Sequence, residues 1–144
     1  MASAVSENPF GRSITTEDIV DTLGFFDSWE DRYKYIIDLG KELPAMPDEL
    51  KTEDRLIRGC QSQVWLEPSE QDGYFEFQAD SDAFIVKGLL GVILSAYNHK
   101  RAGEILDFDI DSYFDELDLM RHLSPTRGNG LRAMVQRIRE IAGE

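Results

Sequence analysis

Apolar residues fall at helical spacing in three parts of the chain and at alternating spacing in a fourth. A hydroxyl at Thr15 or Thr16, followed by Glu17 and Asp18, suits the positive end of a helix dipole and predicts a short helix to about Phe26. From Ser28, the residues Trp29, Tyr33, Ile36, Ile37 and Leu39 trace an apolar helical stripe that Gly40 would end. Leu43-Pro44-Ala45-Met46-Pro47 breaks the pattern, because each proline biases its predecessor toward extended backbone. A helical turn over Asp48 to Lys51 follows.

Two strands are predicted next, Gln63 to Glu67 and Tyr74 to Gln78, the second with Phe75 and Phe77 on one face. The polar run Pro68 to Gly73 reads as the turn between them, which makes the pair antiparallel. Asp80 or Ser81 then reads as the cap of a helix reaching Asn98. Its apolar residues (Phe84, Ile85, Val86, Leu89, Leu90, Val92, Ile93, Leu94) cover most of its circumference, as expected of a central helix. A last helix from about Asn129 buries Leu131, Met134, Val135, Ile138 and Ile141, and carries Arg132, Arg137, Arg139 and Glu140 on its other faces.

With 144 residues, 42% of them hydrophobic, the chain fits one globular domain spanning 1–144, with 1–10 expected as a flexible start. The balance of 15 basic against 28 acidic side chains, net −13, disfavours nucleic acid or an anionic membrane as partner. No segment is apolar for long enough to span a bilayer, and no signal-peptide pattern precedes Gly11. The expected location is the cytoplasm.

Cys60 is the one cysteine, so no internal disulfide can form and no dithiol chemistry can run within the chain. It precedes the first strand, in a connection where reactive residues are common. A free cysteine also packs well as a small hydrophobe, so burial is the competing reading. A cysteine hydrolase would need a histidine partner, and only His99 and His122 are available. His99 reads as a solvated residue after the central helix, while His122 has no context that fixes its place. One Cys and two scattered His cannot supply a zinc site or an iron–sulfur cluster.

Asp107, Asp109, Asp111, Asp115 and Asp118 stand at EF-hand-like spacing. The turn glycine is replaced by Ser112, and the final position is Asp rather than a bidentate Glu. The interleaved Phe108, Ile110, Tyr113, Phe114 and Leu117 read better as a packed short helix.

Gly59-Cys60-Gln61-Ser62-Gln63-Val64-Trp65 resembles the central motif of the SufE family, bacterial sulfur acceptors that include the CsdE branch. The resemblance extends over Trp29 to Tyr33, Asp38-Leu39-Gly40, Leu43-Pro44, Asp80 to Ala83, Ile85 to Leu89, Leu123 to Arg127 and Gly130-Leu131. It implies an α+β fold of the SufE/IscU-like class, with helices on a small antiparallel sheet. It also implies that Cys60 takes sulfur from a pyridoxal-phosphate cysteine desulfurase of the SufS or CsdA kind. The cysteine would then pass that sulfur toward a downstream acceptor such as a cluster scaffold. The pyridoxal phosphate belongs to the desulfurase, and no cofactor is expected here.

Gly59 can take backbone conformations closed to other residues, which is expected to free the cysteine loop to extend. By the same resemblance, Asp82 is expected close to the cysteine loop and Arg127 near the cysteine or the partner interface. Asp82 reads equally as a first-turn helix acid, and Arg127 as a helix-entry arginine. Arg55 and Arg58 upstream are expected to favour the thiolate, which is about 3% populated for an ordinary thiol at neutral pH. The apolar side chains Val64 and Trp65 are expected to shelter a persulfide. Lys87, inside an apolar helix, must reach polar surroundings.

Overall fold

The computed structural model describes residues 8–60 and 62–143. Its elements run in the order α1 (Thr16–Gly24), α2 (Trp29–Gly40), β1 (Val64–Gln71), β2 (Tyr74–Ser81), α3 (Phe84–Tyr97), β3 (Lys100–Arg101), α4 (Ala102–Asp107), α5 (Ile110–Leu117) and α6 (Pro125–Ala142). Short 3-10 turns lie at Asp48–Leu50, Glu53–Arg55 and Met120–His122. The sheet has the order β1-β2-β3, both pairs antiparallel. The fold is therefore α+β, as the sequence implied.

Two helix starts follow directly from their caps. Thr15 and Asp18 form a reciprocal capping box at α1, and the Ser28 hydroxyl accepts from the Asp31 amide at α2. The core centres on α3, which is buried at every position except Phe84 and the partly exposed Lys87. It packs between α2 and β2 and also touches α1 and α6. Glycine makes the α2–α3 approach possible. A Cβ on Gly88 would sit 1.9 Å from the Ile36 carbonyl oxygen, and one on Gly40 would sit 2.8 Å from the Gly88 amide nitrogen. Gly40 does close α2, but this contact is what requires a glycine there.

The strands extend beyond their predicted ends. Pro68 lies inside β1 opposite Phe77, and the turn is only Asp72-Gly73, with φ of 56° and 86°. Such positive φ values are what a two-residue hairpin of primed type requires. Pro68 is tolerated because β1 is an edge strand, where a missing N–H breaks no ladder on the open side. Asp80 and Ser81 belong to the end of β2 and do not sit at a helix N-cap position; Ala83 occupies the N-cap of α3. Asp80 is buried and meets Lys51 at 3.2 Å and Lys87 at 3.4 Å, which is the polar outlet for Lys87.

The expected flexible start does not hold from Asn8 onward; residues 1–7 lie outside the described set. Phe10 is fully buried, its ring occupying the space where a Cβ on Gly91 would lie. Asn8 donates its side-chain amide to the Phe77 carbonyl at 3.2 Å. At the other end of the chain, α6 begins four residues before its predicted start. Ser124 caps it through the Arg127 amide, with Pro125 at the first position where no N–H is needed. No helix among the described residues is long and apolar enough to cross a membrane.

Candidate functional site

Residues 58–60 and 62–63 belong to a loop whose two stems are pinned to the sheet. At the stems, the Ile57 amide donates to the Val64 carbonyl at 2.8 Å, and Leu56 bridges to Trp65. At the far side, the Ser81 hydroxyl donates to the Gln63 carbonyl at 2.7 Å, and the Gln63 amide donates to Asp82 Oδ1 at 3.1 Å. Asp82 therefore holds the cysteine loop and does so from an exposed position. The unpredicted contribution is that of Ser81, which the sequence presented as a helix cap.

Between these anchors the loop leans on α6. Gly59 has φ +93°, a backbone conformation that L side chains rarely adopt, and faces Ala133. Cys60 is half-buried against Gly130, and its thiol donates weakly to the Gly130 carbonyl oxygen at 3.6 Å. A Cβ on Gly130 would lie 3.6 Å from the Cys60 sulfur, an ordinary van der Waals distance. On its open side the loop borders a cleft of about 290 Å³ that includes Leu56, Arg58, Gly59, Cys60, Ser62 and Gln63.

Burial pushes the Cys60 thiol pKa upward. The expected cationic assistance from upstream is not realised in this state. Arg55 is committed to Glu67 at 2.6 Å and to Thr52 at 2.8 Å, and Arg58 is exposed. Arg127 lies in the first turn of α6, one turn before Gly130 on the same stripe. Among the described residues its guanidinium makes no hydrogen bond or ion pair, and it does not line the cleft at Cys60.

The histidines are placed elsewhere. His122 stacks on Trp29 with ring centroids 4.1 Å apart and approaches Asp118 at 3.4 Å. His99, expected to be solvated, is largely buried in a left-handed conformation (φ 61°) and meets Glu76 at 3.2 Å. Neither bonds Cys60, so the geometry offers no cysteine–histidine pair. The acidic series is structural too: Asp109 caps α5 through Ser112, and Asp118 closes it in a left-handed turn. Among the described residues no group of three or more His, Cys, Asp or Glu could hold a metal ion.

The SufE family, described as an Fe-S metabolism associated domain, matches residues 17–142. The chain belongs to the SufE family. An uncharacterized SufE-like protein of Rhizobium meliloti (strain 1021) is 43% identical over 130 residues, covering 88% of this chain and 93% of the relative. Another from Rhizobium etli is 44% identical over 130 residues, covering 88% of each. A solution structure of a hypothetical protein from Thermus thermophilus shares the fold, with a TM-score of 0.71 at 16% identity over 88% of this chain and 92% of that one.

Membership ties this SufE-family chain to iron–sulfur metabolism. The arrangement also limits the chemistry open to it. A thiol with no neighbouring base suits exchange at sulfur, where the thiolate itself is the nucleophile. Four contributors escaped the sequence reading: Gly130, Ala133, Ser81 and the backbone of Gln63. A signal for one of them was present, since Gly128 and Gly130 lie within two residues in a helix that each glycine weakens by about 1 kcal/mol. Cys60 rests over Gly130, with its sulfur 3.6 Å from where a Cβ there would lie.

Proposed function

We propose that this protein is a sulfur acceptor. Cys60 receives sulfane sulfur from the active-site cysteine persulfide of a pyridoxal-phosphate cysteine desulfurase, speeds that enzyme by clearing it, and passes the sulfur on for iron–sulfur cluster assembly. The Cys60 thiolate attacks the outer sulfur of the donor persulfide. A bond forms between that sulfur and Cys60 Sγ, the donor S–S bond breaks, and the donor cysteine leaves as a thiolate with the electron pair. No oxidant or reductant is consumed.

The observation that carries this reading is the setting of the one cysteine. Its loop is fixed at both stems, passes through a positive φ that Gly59 adopts without strain, and rests on α6 with a weak thiol contact. Such a loop can present its tip to another protein without unfolding the sheet. Burial raises the thiol pKa at rest, which suppresses off-target reaction until a partner draws the loop out. Membership of a family associated with iron–sulfur metabolism supports the same assignment.

The test is intact-mass spectrometry after incubation with a cysteine desulfurase and free cysteine, with Cys60→Ser as control. The expected result is a reducible gain of one sulfur atom on the wild type only, accompanied by faster desulfurase turnover. No gain beside a competent desulfurase would refute the assignment.

A further inference from the structure

Phe84 opens a helix whose other residues are buried, apart from Lys87, which pairs with Asp80. Its own side chain is 74% exposed, although the apolar pattern placed it in the core. It has no packing role that would explain an aromatic ring there. Its location supplies one. Phe84 follows two residues after Asp82, whose carboxylate binds the Gln63 amide, and Gln63 lines the cleft beside Cys60. The backbone path runs at most about 7 Å from Phe84 to Asp82 and about 11 Å from Gln63 to Cys60. An interface of standard size, about 800 Å² on each side and so about 32 Å across, is wide enough to include both residues.

We infer that Phe84 anchors the docking surface for the desulfurase, its ring entering an apolar hollow beside that enzyme's active-site opening. The inference rests on the sulfur-acceptor reading and goes further by naming the contact. A persulfide sulfur bound to a protein cysteine cannot diffuse away, so the donor enzyme must itself cover Cys60 and the surface around it. Within that covered area a protruding aromatic ring is the kind of residue that carries binding energy, because it buries a large area with few rotatable bonds. Phe25 offers an internal comparison. It is 83% exposed, but it caps the C-terminal end of α1, and among the described residues no bond links it to the cysteine loop.

The experiment uses the full chain as wild type, Phe84→Ala, Phe84→Leu and Phe25→Ala. The concentration giving half-maximal stimulation of a cysteine desulfurase is measured, together with thermal unfolding and with loading of Cys60 by glutathione persulfide, which needs no docking. Phe84→Ala is expected to raise the half-maximal concentration about tenfold or more, with maximal stimulation, unfolding temperature and glutathione persulfide loading unchanged. Phe84→Leu is expected to recover part of the loss, and Phe25→Ala to behave as wild type. A Phe84→Ala protein within twofold of wild type would overturn the inference while leaving the acceptor reading intact. So would a parallel loss of glutathione persulfide loading or of folding, because the ring would then act within this chain. A wild type that takes no sulfur from the desulfurase would remove the acceptor reading and this inference together.

Discussion

Two glycine contacts in this molecule, one between two helices and one between a loop and a helix, differ in tightness. Where α2 meets α3, a Cβ on Gly88 would fall 1.9 Å from the Ile36 carbonyl oxygen, so no other residue fits without moving a helix. Where the cysteine loop meets α6, a Cβ on Gly130 would lie 3.6 Å from Cys60, and one on Gly59 would lie 3.5 Å from the Ala133 Cβ. The first contact is backbone on backbone inside the core. The second has room to spare and is held by a thiol–carbonyl contact of 3.6 Å. Close packing leaves the helical seam no alternative arrangement, whereas the looser contact predicts a loop that leaves its seat more cheaply than the helices can part.

The largest expected effect tests the tight contact. Gly88→Ala should destabilise the fold by about 3 kcal/mol or more, since a methyl group forced against a backbone carbonyl must push α2 and α3 apart. Calorimetry should show an unfolding temperature lower by roughly 10 °C. Sulfur uptake per folded molecule should be retained. A large loss of uptake by the still-folded fraction would mean that the core seam and the cysteine loop are coupled.

Gly59→Ala is next. At φ +93° an alanine strains the resting loop by about 1–2 kcal/mol. If the loop is releasable, it sheds that strain by opening rather than by unfolding the domain. The expected readout is alkylation of Cys60 up to about tenfold faster with a nearly unchanged unfolding temperature. Unchanged alkylation with a lower unfolding temperature would show that the loop is as locked as the helical seam.

Gly130→Ala works in the opposite direction and more gently. The added methyl fills space beside Cys60 at ordinary contact distance and suits a helix better than glycine does. One buried methyl favours the seated loop by up to about 0.8 kcal/mol, so alkylation should slow by up to about fourfold. Faster alkylation would mean that the methyl displaces the loop and that the seat is already full.

Much of this arrangement was legible in the sequence. The cap of α1, the helical stripes of α2 and α6, the antiparallel pair and the position of Cys60 before the first strand all emerged from capping, periodicity and turn chemistry. The misreadings share a cause, because local residue types were given their commonest local roles. Asp80 and Ser81 looked like a helix cap, but pairing across the sheet keeps them in β2, where they reach Lys51, Lys87 and Gln63. Pro68 looked like a turn, but an edge strand spares it a lost hydrogen bond. Phe84 looked like core because binary patterning cannot tell which face of an apolar helix start remains uncovered. The seat of Cys60 on Gly130 joins residues seventy positions apart, a separation that no local pattern encodes.

The finest distinction between the two contacts concerns the thiol itself. Burial against α6 disfavours the charged thiolate and raises the Cys60 pKa above its ordinary value. The alkylation rate plotted against pH should therefore rise through a midpoint above that of a free thiol, about 8.5, and at neutral pH the reaction should be slower than for a small thiol. The sign follows from the protonation state, since the seated loop favours the neutral form and anything that unseats it releases the proton more readily. Gly59→Ala should accordingly move the midpoint down toward the free value, and Gly130→Ala should hold it up. If all three proteins shared one midpoint, the raised pKa would not come from the seat. The contact between Cys60 and α6 would then affect access to the thiol without changing its ionisation.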